Sequence, residues 1–137
     1  MRNSTKKYLE DELFSYPKMD QYINSLREEI INPWRETDEN IGGGKSNIIS
    51  STVEVKAIRL VNDKRLNRMR EVKQAIETIY RESSIEEKDL LEIYYFKSPR
   101  TLTIDGVAQE LSVSRRTVFR LRSRLLNRFA DELGIIN

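Results

Sequence analysis

Residues 103–133, TIDGVAQELSVSRRTVFRLRSRLLNRFADEL, carry the reading of this chain. Thr103 offers a hydroxyl N-cap to a short helix over 104–111, Ser112-Val113 form a turn, and Ser114 caps a second helix that runs to about residue 133 before Gly134. Two helices joined by so short a turn are the helix-turn-helix unit. Its packing fixes residue type position by position. Val107 and Leu111 bury one face of the first helix, and Ala108 is small where the second helix crosses it. Val113 plugs the turn, and Val118 with Leu121 seals the second helix underneath. Ser112 stands where such a turn usually has glycine. Serine enters the left-handed region only at a cost, so a slightly open turn is expected.

What the second helix shows to solvent gives it a function. With Val118, Leu121, Leu125, Phe129 and Leu133 turned inward, Ser114, Arg115, Arg116, Phe119, Arg120 and Ser123 form the outward face of its first turns. Arginine makes bidentate contacts to guanine in the major groove, so Arg115, Arg116 and Arg120 are expected to read bases, with Ser114 and Ser123 beside them and Phe119 against a thymine methyl. Arg100, Thr103, Thr117, Arg122, Arg124 and Arg128 are expected on backbone phosphates, which set register without reading sequence. The bland alternative is a solvated or partner-binding basic helix. It is weakened because the arginines fall on the helix that the apolar pattern independently marks as the recognition helix.

Working outward, the rest of the chain fits a small helical protein. Its 137 residues hold 24 Lys plus Arg against 22 Asp plus Glu, a net charge of +2, with no Cys and no His. That composition removes thiolate nucleophiles, imidazole bases, disulfides and Cys/His zinc sites, so a non-enzymatic binding protein without cofactor or metal is expected. No apolar run approaches the length of a membrane span, and the N-terminus has no apolar signal core. A cytoplasmic, nucleoid-associated location follows as the expectation. Three Pro and five Gly leave long tracts without breakers, so the fold class is all-α.

Tyr16-Pro17 cuts a first helix over about 5–14, and Pro17 starts the next, where Ile23, Leu26 and Ile30 make one apolar stripe up to Asn32-Pro33. Residues 35–50 are polar and contain Gly42-Gly43-Gly44, which suits a linker or mobile loop, with Trp34 anchoring its start. From Ser50, Ser51 or Thr52 a long helix continues to about Tyr80, with a slip in its apolar spacing near Asn62-Asp63 that permits a kink. Ser84-Ile85-Glu86-Glu87 has the spacing of a capping box, opening a helix through about Phe96 whose Tyr94-Tyr95-Phe96 run is core beneath the helix-turn-helix. Gly44-Lys45-Ser46 is no phosphate loop, because the position five before Gly44 is Glu39. The expected division is 1–50, N-terminal helices and loop; 51–82, a central helix for dimerisation or linkage; and 83–137, the DNA-binding domain.

Tyr16-Pro17, Leu26-Arg27-Glu28-Glu29-Ile30 with Pro33-Trp34, Thr37-Asp38-Glu39-Asn40-Ile41-Gly42-Gly43, and the ending from Leu125 to Gly134 resemble the RinA family of phage transcriptional activators over nearly the whole chain. That family is similar to the ArpU-type phage regulators and to region 4 of sigma factors. The resemblance implies activation of late phage genes for packaging and morphogenesis, a sigma region 4-like helix-turn-helix, and no catalytic residue. Promoter DNA as a duplex, host RNA polymerase and a second copy of the chain are the expected partners. The rival readings are a repressor or architectural DNA binder without a polymerase contact, and a protein-interaction module with a basic docking helix.

Overall fold

The computed structural model describes residues 1–33 and 52–136; the expected loop over 35–50 and the Trp34 anchor lie outside them. The described regular elements are helices, as the all-α expectation requires, and no strand occurs among the described residues. In chain order they are α1 (Asn3–Ser15), a 3-10 turn (Tyr16–Lys18), α2 (Met19–Ile31), α3 (Thr52–Asn62) and α4 (Lys64–Glu82). Then come α5 (Ile85–Leu90), continuing as a π-helical turn (Leu91–Tyr95), α6 (Ile104–Leu111) and α7 (Arg115–Leu133). Pro17 lies in the opening positions of the 3-10 turn, where a missing N–H costs nothing.

Two compact units emerge, Met1–Met19 with Glu71–Asn137, and Asp20–Arg70. In the second, Ile23, Ile30 and Leu66 are buried, with Leu26, Leu60 and Met69 packed against them. The slip at Asn62-Asp63 is a full break between α3 and α4. Asp63 Oδ1 accepts the Leu66 N–H at 3.0 Å and so caps α4, and the Asn67 side-chain amide donates to the Val61 carbonyl at 2.9 Å. The Leu66 N–H, and next the Arg65 guanidinium, hold the Asp63 carboxyl below its ordinary range.

The first unit is built around α7. Val118, Leu121, Leu125, Leu126, Phe129 and Ala130 are buried and meet Val107 and Ala108 of α6, Leu90, Leu91 and Tyr95, and Val72, Ile76 and Ile79 of α4. Leu9 and Leu13 of α1 join the same core and are fully buried. At about 1.5–3 kcal/mol for each buried Leu, these two residues weigh heavily against a typical total stability of about 5–15 kcal/mol. The capping box at Ser84 forms as its spacing predicts: Ser84 Oγ accepts the Glu87 N–H at 3.2 Å and Glu87 Oε1 accepts the Ser84 N–H at 3.0 Å. Tyr95 is buried as expected of core, and Tyr94 and Phe96 are half-buried against it.

Candidate nucleic-acid interface

Local chemistry fixes the α6–α7 pair at both of its starts and both of its ends. Thr103 Oγ1 accepts the Gly106 N–H at 3.1 Å to cap α6, and Ser114 Oγ accepts the Thr117 N–H at 3.1 Å to cap α7. Helix α6 ends on Ser112 in the left-handed conformation, φ 56° and ψ 42°. The turn is therefore closed, contrary to the open geometry expected of serine. Hydrogen bonds from Ser112 N–H to Gln109 O (3.1 Å) and from Val113 N–H to Ala108 O (3.0 Å) hold it there. The same arrangement recurs at the end of α7, where Gly134 (φ 70°) donates to Asp131 and Ile135 N–H to Ala130 O at 2.9 Å.

With Val118, Leu121, Leu125 and Phe129 buried beneath it, α7 presents a polar ridge. Arg116, Arg120, Ser123, Arg124 and Asn127 are exposed, and Arg116, Thr117 and Arg120 line a shallow cleft. Among the described residues Arg116, Arg120 and Arg124 have no hydrogen-bond or ion-pair partner, so their donors remain available. Arg115 is exposed but lies 3.4 Å from Asp105, itself exposed, a solvated pair that gives way to a phosphate or base at little cost. Its guanidinium also sits 5.3 Å from the Phe119 ring centre, while Arg122 packs at 4.8 Å from the same ring. Phe119 is half-buried, which leaves part of its edge accessible. Ser114 and Thr117 spend their hydroxyls on each other, 3.0 Å apart, and on the cap. Thr103 is likewise engaged in capping, and Arg100 stacks over the Phe14 ring at 4.0 Å.

Two arginines expected on phosphates have other employment. Arg122 is only 15% exposed and pairs with Glu10 of α1 at 3.6 Å. Arg128 donates to the Glu87 carboxylate at 2.9 Å, to Ser83 Oγ at 2.8 Å and to the Glu82 carbonyl at 3.3 Å. Both point toward the body of the unit, because positions 122 and 128 flank the buried seam of Leu121, Leu125 and Phe129. Within the unit both serve as structural cations.

Glu10 is the residue that sequence reasoning passed over. Besides Arg122 it accepts the Tyr95 hydroxyl at 2.8 Å, and burial, then the Glu10 charge, push the Tyr95 phenol far above its ordinary range, so it stays a neutral donor. The apolar spacing of Leu9 and Leu13 shows that α1 packs on something, but no local pattern links position 10 to positions 95 and 122.

A family model described as "Protein of unknown function (DUF722)" matches residues 1–131. The transcriptional activator rinA of Staphylococcus phage phi11 is 34% identical over 134 residues, which covers 98% of this chain and 94% of that protein. The chain belongs to the RinA family. No solved structure matches it. The family resemblance carried by Tyr16-Pro17, Leu26 to Ile30 and Leu125 to Gly134 thus holds across the chain rather than in those segments alone. No described helix is long and apolar enough to cross a membrane.

Proposed function

We propose that the chain is a phage transcriptional activator that binds promoter DNA through α6 and α7, used as a helix-turn-helix with α7 in the major groove. The observation that supports this best is the pairing on one helix of an exposed, unpartnered ridge of Arg116, Arg120 and Ser123 with a wholly buried seam of Val118, Leu121 and Leu125. Arg115, Arg116 and Arg120 read bases, with Ser114, Phe119 and Ser123 beside them. Arg124, Arg100 and the helix-start hydroxyls of Thr103 and Thr117 contact phosphates. The relative's name supports activation over repression, and its level of identity makes a shared role a reasonable inference.

A single helix-turn-helix reads few base pairs, so two copies on half-sites about one turn apart are expected. In α3, Val55 and Ile58 are exposed with Asn62 beyond them, the a, d, a spacing of a two-stranded seam. Glu54 and Arg59 flank it at the g and e positions that face each other in a parallel pair. Bound to DNA, the protein would act by recruitment: each 1.4 kcal/mol of polymerase contact raises promoter occupancy about tenfold. It works without a cofactor, in the cytoplasm at the nucleoid.

Footprinting of the protein on phage late-promoter DNA, followed by transcription from that promoter with purified polymerase, tests the reading. A protected, symmetric site and output that rises with protein are expected. Protection with unchanged or falling output would indicate a repressor or architectural binder, and absence of duplex binding would indicate a protein-docking helix. Ile58→Asp should convert a dimer to a monomer in sedimentation.

A further inference from the structure

We infer that the start of α1 is a second phosphate-binding element that extends the α7 ridge, with Arg2 and Lys6 as its cations; the inference rests on the DNA reading above. Met1, Asn3 and Lys6 share a cleft with Ser123, Leu126 and Asn127 of α7. At 100° per residue, Arg116, Arg120, Ser123 and Asn127 fall within roughly 60° of arc on α7. The cleft therefore lies at the edge of that ridge, where buried Leu126 turns toward the core. On α1 it is Asn3 and Lys6 that line the cleft, and Arg2 is the exposed residue just before the helix.

The width of α7 suits a phosphate wall. A helix with its side chains is about 10–12 Å across and fills a major groove about 12 Å wide. An element packed against the flank of such a helix therefore meets the sugar-phosphate backbone that walls the groove. Ser123 and Asn127 bring no charge to that point. Arg2, which is exposed, and Lys6, which is partly exposed, do. The start of α1 carries no acidic residue in its first turn. Arg122 and Arg128 are drawn into the fold, and α1 returns two cations to the surface they left. The chain's first helix thus serves the reader that its last helix forms.

The test is the salt dependence of binding to a fluorescein-labelled, mixed-sequence duplex of about 30 base pairs, measured between about 50 and 200 mM KCl. Each phosphate neutralised contributes about 0.9 to the slope of log affinity against log salt. Arg2→Ala/Lys6→Ala should lower the slope by about 1 to 2, Asn3→Lys should raise it by about 0.9, and Lys18→Ala, which removes one charge from the 3-10 turn beyond α1, should leave it unchanged. Sequence preference should be unaltered in all of them. A wild-type protein with a steep slope that is the same in Arg2→Ala/Lys6→Ala and in Asn3→Lys overturns this inference and leaves the DNA reading standing. A wild-type protein with no salt-dependent duplex binding overturns both. Because these side chains lie at the surface, coincident urea melts of the variants and wild type separate a lost contact from a lost fold.

Discussion

Arg128 holds Glu87 across 41 positions of sequence, Nη2 to Oε2 at 2.9 Å, on a carboxylate side chain that is only 7% exposed. The other oxygen of that carboxylate accepts the Ser84 N–H and opens α5. One side chain thus joins the second half of α7 to the start of another helix, and its removal leaves a buried charge without compensation.

Arg128→Ala is therefore expected to reduce unfolding free energy by about 3 kcal/mol, measured by urea denaturation. Arg124→Ala, with no such partner, should change it by less than about 0.5 kcal/mol. The ratio of cognate to random DNA affinity should be unchanged for Arg128→Ala at a temperature where it remains folded. Wild-type stability combined with uniformly weaker DNA binding would return Arg128 to the phosphate-contacting set.

Arg116→Ala and Arg120→Ala should leave stability alone and cost about 1–3 kcal/mol on the cognate site, with relaxed preference at the base each reads. Competition binding against single-base variants of the site measures this. Equal losses on cognate and random duplexes would show that neither side chain reads a base.

Ser112→Gly should stabilise the first unit by up to about 1 kcal/mol, since a left-handed residue with a Cβ costs about 1–2 kcal/mol and the added freedom of glycine in the unfolded chain returns part of that gain. Ser112→Val should destabilise it. Thermal unfolding of the two variants reads both signs, and a gain for valine would mean that the turn opens in solution.

Tyr95 gives a pH signature. Its phenol is pushed upward by burial and by Glu10, so the folded state retains a proton that the unfolded state releases. The stability this supplies is complete below the unfolded tyrosine value of about 10 and is lost as pH rises beyond it. Melts from pH 9 to 11.5 should show the loss, and Tyr95→Phe should flatten that limb while costing about 1 kcal/mol at neutral pH.

Much of this was legible in the sequence. The capping residues Ser84, Thr103 and Ser114, the terminating Gly134, and the seam of Val118, Leu121 and Leu125 are set by local rules, and each appears where its spacing puts it. The slip at Asn62-Asp63 marks a real helix break because Asp63 is itself a cap. What was not legible is non-local. Ser112 is left-handed because two backbone hydrogen bonds hold it there, against its own preference. Arg122 and Arg128 look like surface cations in a helical wheel. Their partners Glu10 and Glu87 lie on other helices, and no periodicity announces a pair formed across the core.

Leu9, Glu10 and Leu13 come from the first fifteen residues, yet they complete a core whose other members end at residue 130. The unit therefore closes only when α1 and α7 are both in hand. On a ribosome α1 must wait for α7 to be translated before its share of the core is complete. A protease that severs α1 from the rest removes two of the core's fully buried leucines together with the carboxylate beneath Tyr95. No trimmed fragment starting at the central helices inherits an intact core.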